Sequence, residues 1–230
     1  MTVAVQLPGI APAMVMTALF PALPGRRASL GTVWPLMAMR IPLNCPHTVV
    51  NGLGDMTFTA WVKTNANKDM GIITGANSGA DNEFLLFIEG GSLSATVRNQ
   101  TFIAKKKIND GSWHFVVVVR TGNTGEVLVY VDGQLDAKNT LPAGKLVIDP
   151  NGLWLGREQD SVGGGWDTNQ DFQGSMDEVA IYNRALSQAE VQSLMGGVSI
   201  QPAASTPPST TSPSTPAQAG LVGYWNFNDG

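Results

Sequence analysis

Gly174-Ser175-Met176-Asp177-Glu178-Val179-Ala180-Ile181-Tyr182-Asn183-Arg184-Ala185-Leu186-Ser187 decides the fold, together with the short helix it runs into. Met176, Val179, Ile181 and Tyr182 supply the apolar, β-branched and aromatic content of a buried strand. Ser187-Gln188-Ala189-Glu190 then reads as a capping box. The serine oxygen accepts from the Glu190 amide while the Glu190 side chain reaches back to the helix entrance. Val191 and Leu194 give the helix a buried face, and Gly196-Gly197 stop it.

Upstream, from about Met56, the chain reads as strand after strand. Met56 to Lys63 alternates, with Met56, Phe58, Ala60 and Val62 on one face and Thr57, Thr59, Trp61 and Lys63 on the other. Gly71 to Thr74 and Phe84 to Ile88 follow, separated by a polar loop from Gly75 to Glu83. Leu93, Ala95 and Val97 alternate in the next strand. Trp113 to Arg120 is a continuous apolar run, which requires cover on both faces. Asp132-Gly133 marks a hairpin between Val127–Val131 and Leu135. Leu146 to Ile148 and Leu153 to Leu155 add two more strands. Roughly ten short strands at this spacing predict an all-β, two-sheet antiparallel sandwich with one short C-terminal helix.

These stretches resemble a known family in order. Phe58-Thr59-Ala60-Trp61-Val62-Lys63 is similar to its early F-T-x-A-W-V-K strand, and Asp110-Gly111-Ser112-Trp113-His114-Phe115-Val116 to its D-G-x-W-H-x-V entry into the central strand. Val129-Tyr130-Val131-Asp132-Gly133 resembles its x-Y-V-D-G hairpin, and Leu155-Gly156-Arg157 its I-G-R edge. With the closing strand and capped helix, they resemble the laminin-G-like jellyrolls of the concanavalin A-like lectin and glucanase group. The resemblance implies a jellyroll over residues 49–197.

The flanks read differently. Residues 198–219 form an uncharged Pro/Ser/Thr-rich linker that cannot bury a core. Gly220 to Gly230 then resembles the family's opening strand, G-L-V-x-Y-W-x-F-D-x-G, and is expected to begin a truncated second copy of the domain in a repeat protein. The opening strand is missing where the first copy needs it. Residues 1–48 read like no β-domain. Shifted by one base, the codons allowed by Gly31 to Arg40 spell the family's second element in outline, its Ala and second Gly being forced by Trp34-Pro35 and Met37-Ala38. Residues 1–48 are therefore read as an out-of-frame translation, against a Pro-rich leader as the alternative.

Composition narrows the function. The 230 residues are 43% hydrophobic and 14% charged, with a net charge of −4, which gives no electrostatic pull toward nucleic acid or an anionic membrane. Lys105-Lys106-Lys107 reads as a solvated edge. One cysteine, Cys45, allows no intrachain disulfide. Pro8, Pro12, Pro21 and Pro24 interrupt the apolar N-terminal stretch, which argues against a signal peptide or membrane insertion.

The resemblance implies a calcium ion at the sandwich rim, held by an upstream Asp and an acidic residue near the closing strand. Asp177 is the matching position, with Glu178 or Asp171 assisting; Asp177 capping backbone amides is the competing reading. The upstream Asp is absent, so half of that site is missing from the polypeptide. For a glycan, an exposed aromatic with amides and carboxylates beside it is the useful chemistry. Gly163 to Asp171 has that composition around Trp166, Asp167 and Asn169, unless Trp166 folds back onto the sheet edge. Asn77 and Asp81 in the Gly75 to Glu83 loop are the second candidates. Trp61, Trp113 and Trp154 are expected in the core.

Catalysis finds no support. Glucanases of this fold present carboxylates in an E-x-D-x-x-E run, and Glu158-Gln159-Asp160 lacks the third acid. The reading is a non-catalytic binding or adhesion module for carbohydrate or a cell-surface or extracellular protein ligand, in a secreted or surface repeat protein. The alternatives are a structural spacer and an accessory domain of a glycoside hydrolase.

Overall fold

The computed structural model describes residues 42–196 and 220–225. Of the shifted-frame reading, residues 1–41 lie outside the described residues, as does the 198–219 linker. In chain order the strands are β1 (Leu43–Asn44), β2 (Met56–Lys63), β3 (Met70–Asn77), β4 (Ala80–Glu89), β5 (Ser92–Val97) and β6 (Gln100–Lys107). They continue as β7 (Trp113–Thr121), β8 (Glu126–Val131), β9 (Gln134–Thr140), β10 (Leu153–Leu155), β11 (Ser175–Tyr182) and β12 (Leu221–Trp225), with helix α1 (Gln188–Met195) between the last two.

Two six-stranded sheets pack face to face, one ordered β1-β10-β3-β4-β5-β6 and the other β12-β11-β2-β7-β8-β9. Every strand pair is antiparallel. The alternation read in β2 sends Met56, Phe58, Ala60 and Val62 into the space between the sheets, where they join Ile72, Phe84, Leu86, Val116 and Val118. The continuous apolar run of β7 has the predicted double cover. Val116 and Val118 face the main core, while Phe115, Val117 and Val119 face outward beneath α1, with Tyr130, Tyr182 and Val191. Ser187 and Glu190 close the capping box at the helix entrance. Thr57 ties this helix approach to β2, donating to the Arg184 carbonyl at 2.8 Å and accepting from the Leu186 amide at 3.0 Å.

Four details differ from the sequence reading. The sandwich begins before residue 49: Leu43 and Asn44 pair with β10, and Cys45 is buried, its thiol pushed up to about 12 by that burial. The loop expected from Gly75 to Glu83 is a tight hairpin, because β3 and β4 run on to Asn77 and from Ala80. Leu146 to Ile148 is not a strand. Its apolar side chains at Leu146 and Ile148 are buried, but the Val147 amide donates to Glu83 and the Ile148 amide to Asn51, so no ladder forms. Trp113 is 37% exposed rather than core, and Trp61 is half-buried on the outer face.

The β6 edge carries its own protection. On β6, the amides of Lys105 and Lys106 both donate to the Asp136 carboxylate of β9, at 2.7 and 2.9 Å, across the gap between the sheets. The β8–β9 turn is held similarly. Asp132 and Gly133 both sit at positive φ, +51° and +72°, as a two-residue hairpin requires. Asp132 Oδ1 accepts from the Phe115 amide at 3.0 Å, while Oδ2 meets His114 Nδ1 at 2.9 Å and Lys106 Nζ at 2.6 Å.

Burial alone would raise the Asp132 carboxyl, but bonds from Lys106, His114 and the Phe115 amide outweigh it and hold the group below the usual range. A depressed carboxyl contributes stability that is present above its unfolded value and is lost as pH falls through the folded one. Asp132→Asn is therefore expected to lower stability at neutral pH and to flatten the acid limb of a pH–stability curve measured by urea denaturation. An unchanged acid limb would remove Asp132 from this role.

Candidate functional site

The rim at one end of the first sheet is built from two segments. One is the β3–β4 hairpin; the other is the loop that leaves β10 and returns to β11. Asn77, Ser78, Gly79, Ala80 and Asp81 face Asp160, Ser161 and Val162 across a cleft of roughly 380 Å³. The structure thus brings the second sequence candidates, Asn77 and Asp81, against the loop that holds the first.

Each wall is fixed by its own hydrogen bonds. Asn77 donates to the Val147 carbonyl at 2.9 Å and accepts from the Gly79 amide at 2.8 Å, so its amide shapes the hairpin. Asp149 accepts from the Ser78 amide at 2.7 Å. Asp81 accepts a local bond, from the Asn82 amide at 3.0 Å. On the other wall Gln159 is fully buried and satisfied. It donates to Thr74 Oγ1 at 3.1 Å and the Gly152 carbonyl at 2.7 Å, and accepts from the Gly163 amide at 3.0 Å. Gly71 lets this turn sit down on β3, since a Cβ there would lie 2.9 Å from the Arg157 carbonyl carbon.

Glu158, one residue earlier, is buried to 6% exposure, and its Oε2 has no hydrogen-bond partner. Burial is the largest cause that lifts its carboxyl to about 7, followed by the charge of Asp160, with Asp81 and Asp167 adding to it. A buried carboxylate oxygen without a partner, opposed by the charges of three aspartates, is costly, and a cation is a direct remedy. Calcium takes six to eight oxygens from carboxylates, amides and main-chain carbonyls in flexible geometry. Glu158, Asp160, Asp81 and Asp167 fit that donor chemistry. Among the described residues no three acidic, imidazole or thiol groups already converge as a finished metal shell.

The remaining candidates have other partners. Asp167 caps the 3-10 turn Thr168–Gln170, its Oδ1 accepting from the Asn169 amide at 2.9 Å, and Asn169 itself is exposed. Trp166 is folded back. Its ring lies 4.8 Å from Trp154, edge to face, and the Arg157 guanidinium stacks over it at 4.9 Å. Trp154 Nε1 in turn donates to the Asn151 carbonyl at 2.7 Å. Of the two readings of Trp166, the structure has the folded-back one, a half-buried aromatic layer. Asp171 is held by Arg157, whose Nε and Nη2 bind its two oxygens, each at 2.7 Å. Asp177 lies in a bulge of β11 and accepts from the Glu178 amide at 2.8 Å, the backbone-capping role that competes with metal binding there.

In the sequence Glu158-Gln159-Asp160 fits no catalytic run and so does not mark itself as a site. The usable signal was three consecutive oxygen-bearing side chains after a strand, followed by a Gly-rich loop with a further acid at Asp167.

Known proteins share this architecture. The chain is 32% identical to Pentraxin-4 of Homo sapiens over 186 residues, covering 77% of the chain and 39% of that protein. It is 30% identical to C-reactive protein 1.1 of Limulus polyphemus, covering 62% of each. Over the first of these relatives the chain therefore spans well under half of the full length. Among solved structures, a heptameric SAP-like pentraxin from Limulus polyphemus superposes with a TM-score of 0.56 at 20% identity, covering 64% of this chain and 71% of that one. A sialidase CBM40 module from Ruminococcus gnavus, bound to α2,3-sialyllactose, superposes with a TM-score of 0.52 at 20% identity, covering 65% and 86%. A laminin G family model matches residues 41–192, and by that match the chain belongs to the concanavalin A-like lectin/glucanases superfamily.

Proposed function

We propose that this domain is a non-catalytic recognition module that binds a carbohydrate or another polar ligand through a calcium ion at the β3–β4 rim. The carrying observation is Glu158 Oε2, buried and unpartnered beside Asp160, Asp81 and Asp167. These four would hold the ion, and when bound it would supply a positive centre for ligand hydroxyl or carboxylate oxygens. Gln159 holds the turn that carries Glu158 and Asp160, and Asn77 holds the opposing hairpin. Arg157, bound to Asp171 and stacked on Trp166, fixes the aromatic layer carried by the same loop.

A raised glutamic acid near an aspartate also has the composition of a glycosidase pair. Glu158 is buried to 6% exposure, however, and the Glu158-Gln159-Asp160 run lacks the third acid of the glucanase pattern. Pentraxin relatives support binding over hydrolysis. The sialyllactose-binding module shares the fold alone, and lends the reading a precedent for a glycan on such a scaffold. Placement outside the cell, within a larger repeat protein, follows by the same analogy and from the Pro/Ser/Thr-rich 198–219 segment. No helix among the described residues is long and apolar enough to cross a membrane.

The test is a glycan array probed with the labelled chain in calcium and again in EDTA. Calcium-dependent glycan signal is the expected result, and Trp166→Ala, which removes the ring stacked against Arg157 in the same loop, should weaken it about tenfold. Signal that ignores EDTA would reject the metal, and calcium binding with a blank array would favour a protein ligand.

A further inference from the structure

The edge of the second sheet beside β11 is filled from an unexpected direction. Residues 220–225, read from sequence as the start of another domain, form β12 on this one: Val179 faces Trp225, Ala180 faces Tyr224, Ile181 faces Gly223 and Tyr182 faces Leu221. The Asn183 amide extends the ladder by donating to the Gly220 carbonyl at 2.7 Å. Independently of the rim site, we propose that residues 221–225 are an exchangeable donor strand: the β11 edge of one chain accepts this strand from a second copy of the chain.

The seat is specific. Gly220 has φ +82°, and a Cβ there would lie 2.7 Å from Asn183 Oδ1. A Cβ on Gly223 would lie 2.8 Å from the Trp225 ring and 2.9 Å from Val49 Cγ1, so only glycine lets the Trp225 ring and Val49 come this close over position 223. Trp225 packs on the main core and Leu221 on the outer cluster under α1, which anchors the strand on both faces. Tyr224 lies beside Glu178 and Asp177, whose charges, after burial, push its phenol up to about 12.

The attachment is nevertheless one-sided. β12 pairs with β11 alone, and Val222 and Tyr224 remain 37% and 36% exposed. The strand's contacts are with β11 and the layers beneath it, so they are the same whichever copy supplies it. Only effective concentration separates the two arrangements, and residues 197–219, at about 3.1 Å per residue when extended, have a contour on the order of 70 Å. That length reaches a neighbouring domain. An unfilled β11 edge would expose a row of main-chain donors and acceptors together with Val179 and Ile181, which drives the edge to take whichever copy of the strand is nearest.

The experiment uses the full chain with a site-specific protease sequence in place of residues 206–212. Before cleavage, two differently tagged copies are mixed and one tag is captured. Co-capture that rises with concentration is expected, and its absence at every concentration overturns the proposal. After cleavage, a fluorescent peptide of residues 218–230 is followed by anisotropy. The cut chain should take up this peptide and release its own, while the same peptide with Gly223→Val should bind at least about tenfold more weakly. No uptake by a cut chain that keeps its native tryptophan fluorescence overturns the proposal, as does equal uptake of the Gly223→Val peptide. Unfolding on cleavage overturns it too, since the strand would then be integral rather than exchangeable.

Discussion

A Glu158→Gln variant is expected to lose calcium affinity by at least about tenfold and, without calcium, to be more stable than the parent at neutral pH. Both effects have one origin. The parent carboxylate is buried with Oε2 unpartnered, and the charges of Asp160, Asp81 and Asp167 oppose its ionisation. Its carboxyl titrates near 7 in the fold against about 4.5 when unfolded. Between those values the native chain binds more protons than the unfolded one. Stability of the metal-free domain therefore falls as pH rises through that window, and the Glu158→Gln substitution should flatten the fall. Calcium in excess should reverse it in the parent alone. Thermal melts in EDTA and in calcium, between about pH 4.5 and 8, read all of this. A calcium-induced rise in Tm of equal size in both proteins would sink the assignment of Glu158.

The largest loss of stability is expected at Arg120. Its side chain is 1% exposed at the end of β7 and donates to three main-chain carbonyls: Gly54, Pro142 at 3.0 Å and Gly144 at 2.8 Å. The carbonyls belong to two separate loops, which the guanidinium ties together. Burial pushes its pKa down, with Arg98 adding to the effect, while Glu83 and Asp55 act the other way. Arg120→Met keeps much of the volume and strands all three acceptors, which should cost about 3–5 kcal/mol and lower Tm by roughly 10 °C. Arg120→Lys should recover little, because one ammonium on a flexible stem cannot present the planar fork. Urea melts with an unchanged m-value would show that the native state, not the unfolded one, is affected. A loss under about 1 kcal/mol would mean that water replaces the guanidinium at all three carbonyls.

The sandwich was legible where local chemistry and tertiary role coincide. β7 is apolar on both faces because both faces are covered, and the Ser187–Glu190 box caps a helix in sequence and structure alike. Legibility failed where a side chain far along the chain takes the place of a strand. Leu146 to Ile148 has strand composition, yet Glu83 and Asn51 claim its amides. The rim shows the same limit. Trp166 follows three glycines and reads as a loose aromatic, but Arg157, nine positions earlier, covers its face and also takes both oxygens of Asp171. Glu158 could be seen as an acid in a Gly-bordered loop. That its Oε2 lacks a partner depends on burial under distant segments, which no local pattern encodes.

The Asp136 carboxylate that holds the Lys105 and Lys106 amides has a consequence for how such domains crowd together. A foreign segment approaching that flank would have to evict an anion before making its first bond, and would meet Lys105, Lys106 and Lys107 side chains as it did so. The opposite flank carries no such guard on β12, whose exposed residues Val222 and Tyr224 are uncharged. Among these two flanks, sideways strand addition is therefore favoured at β12 and opposed at β6, so growth through this pair of edges is asymmetric.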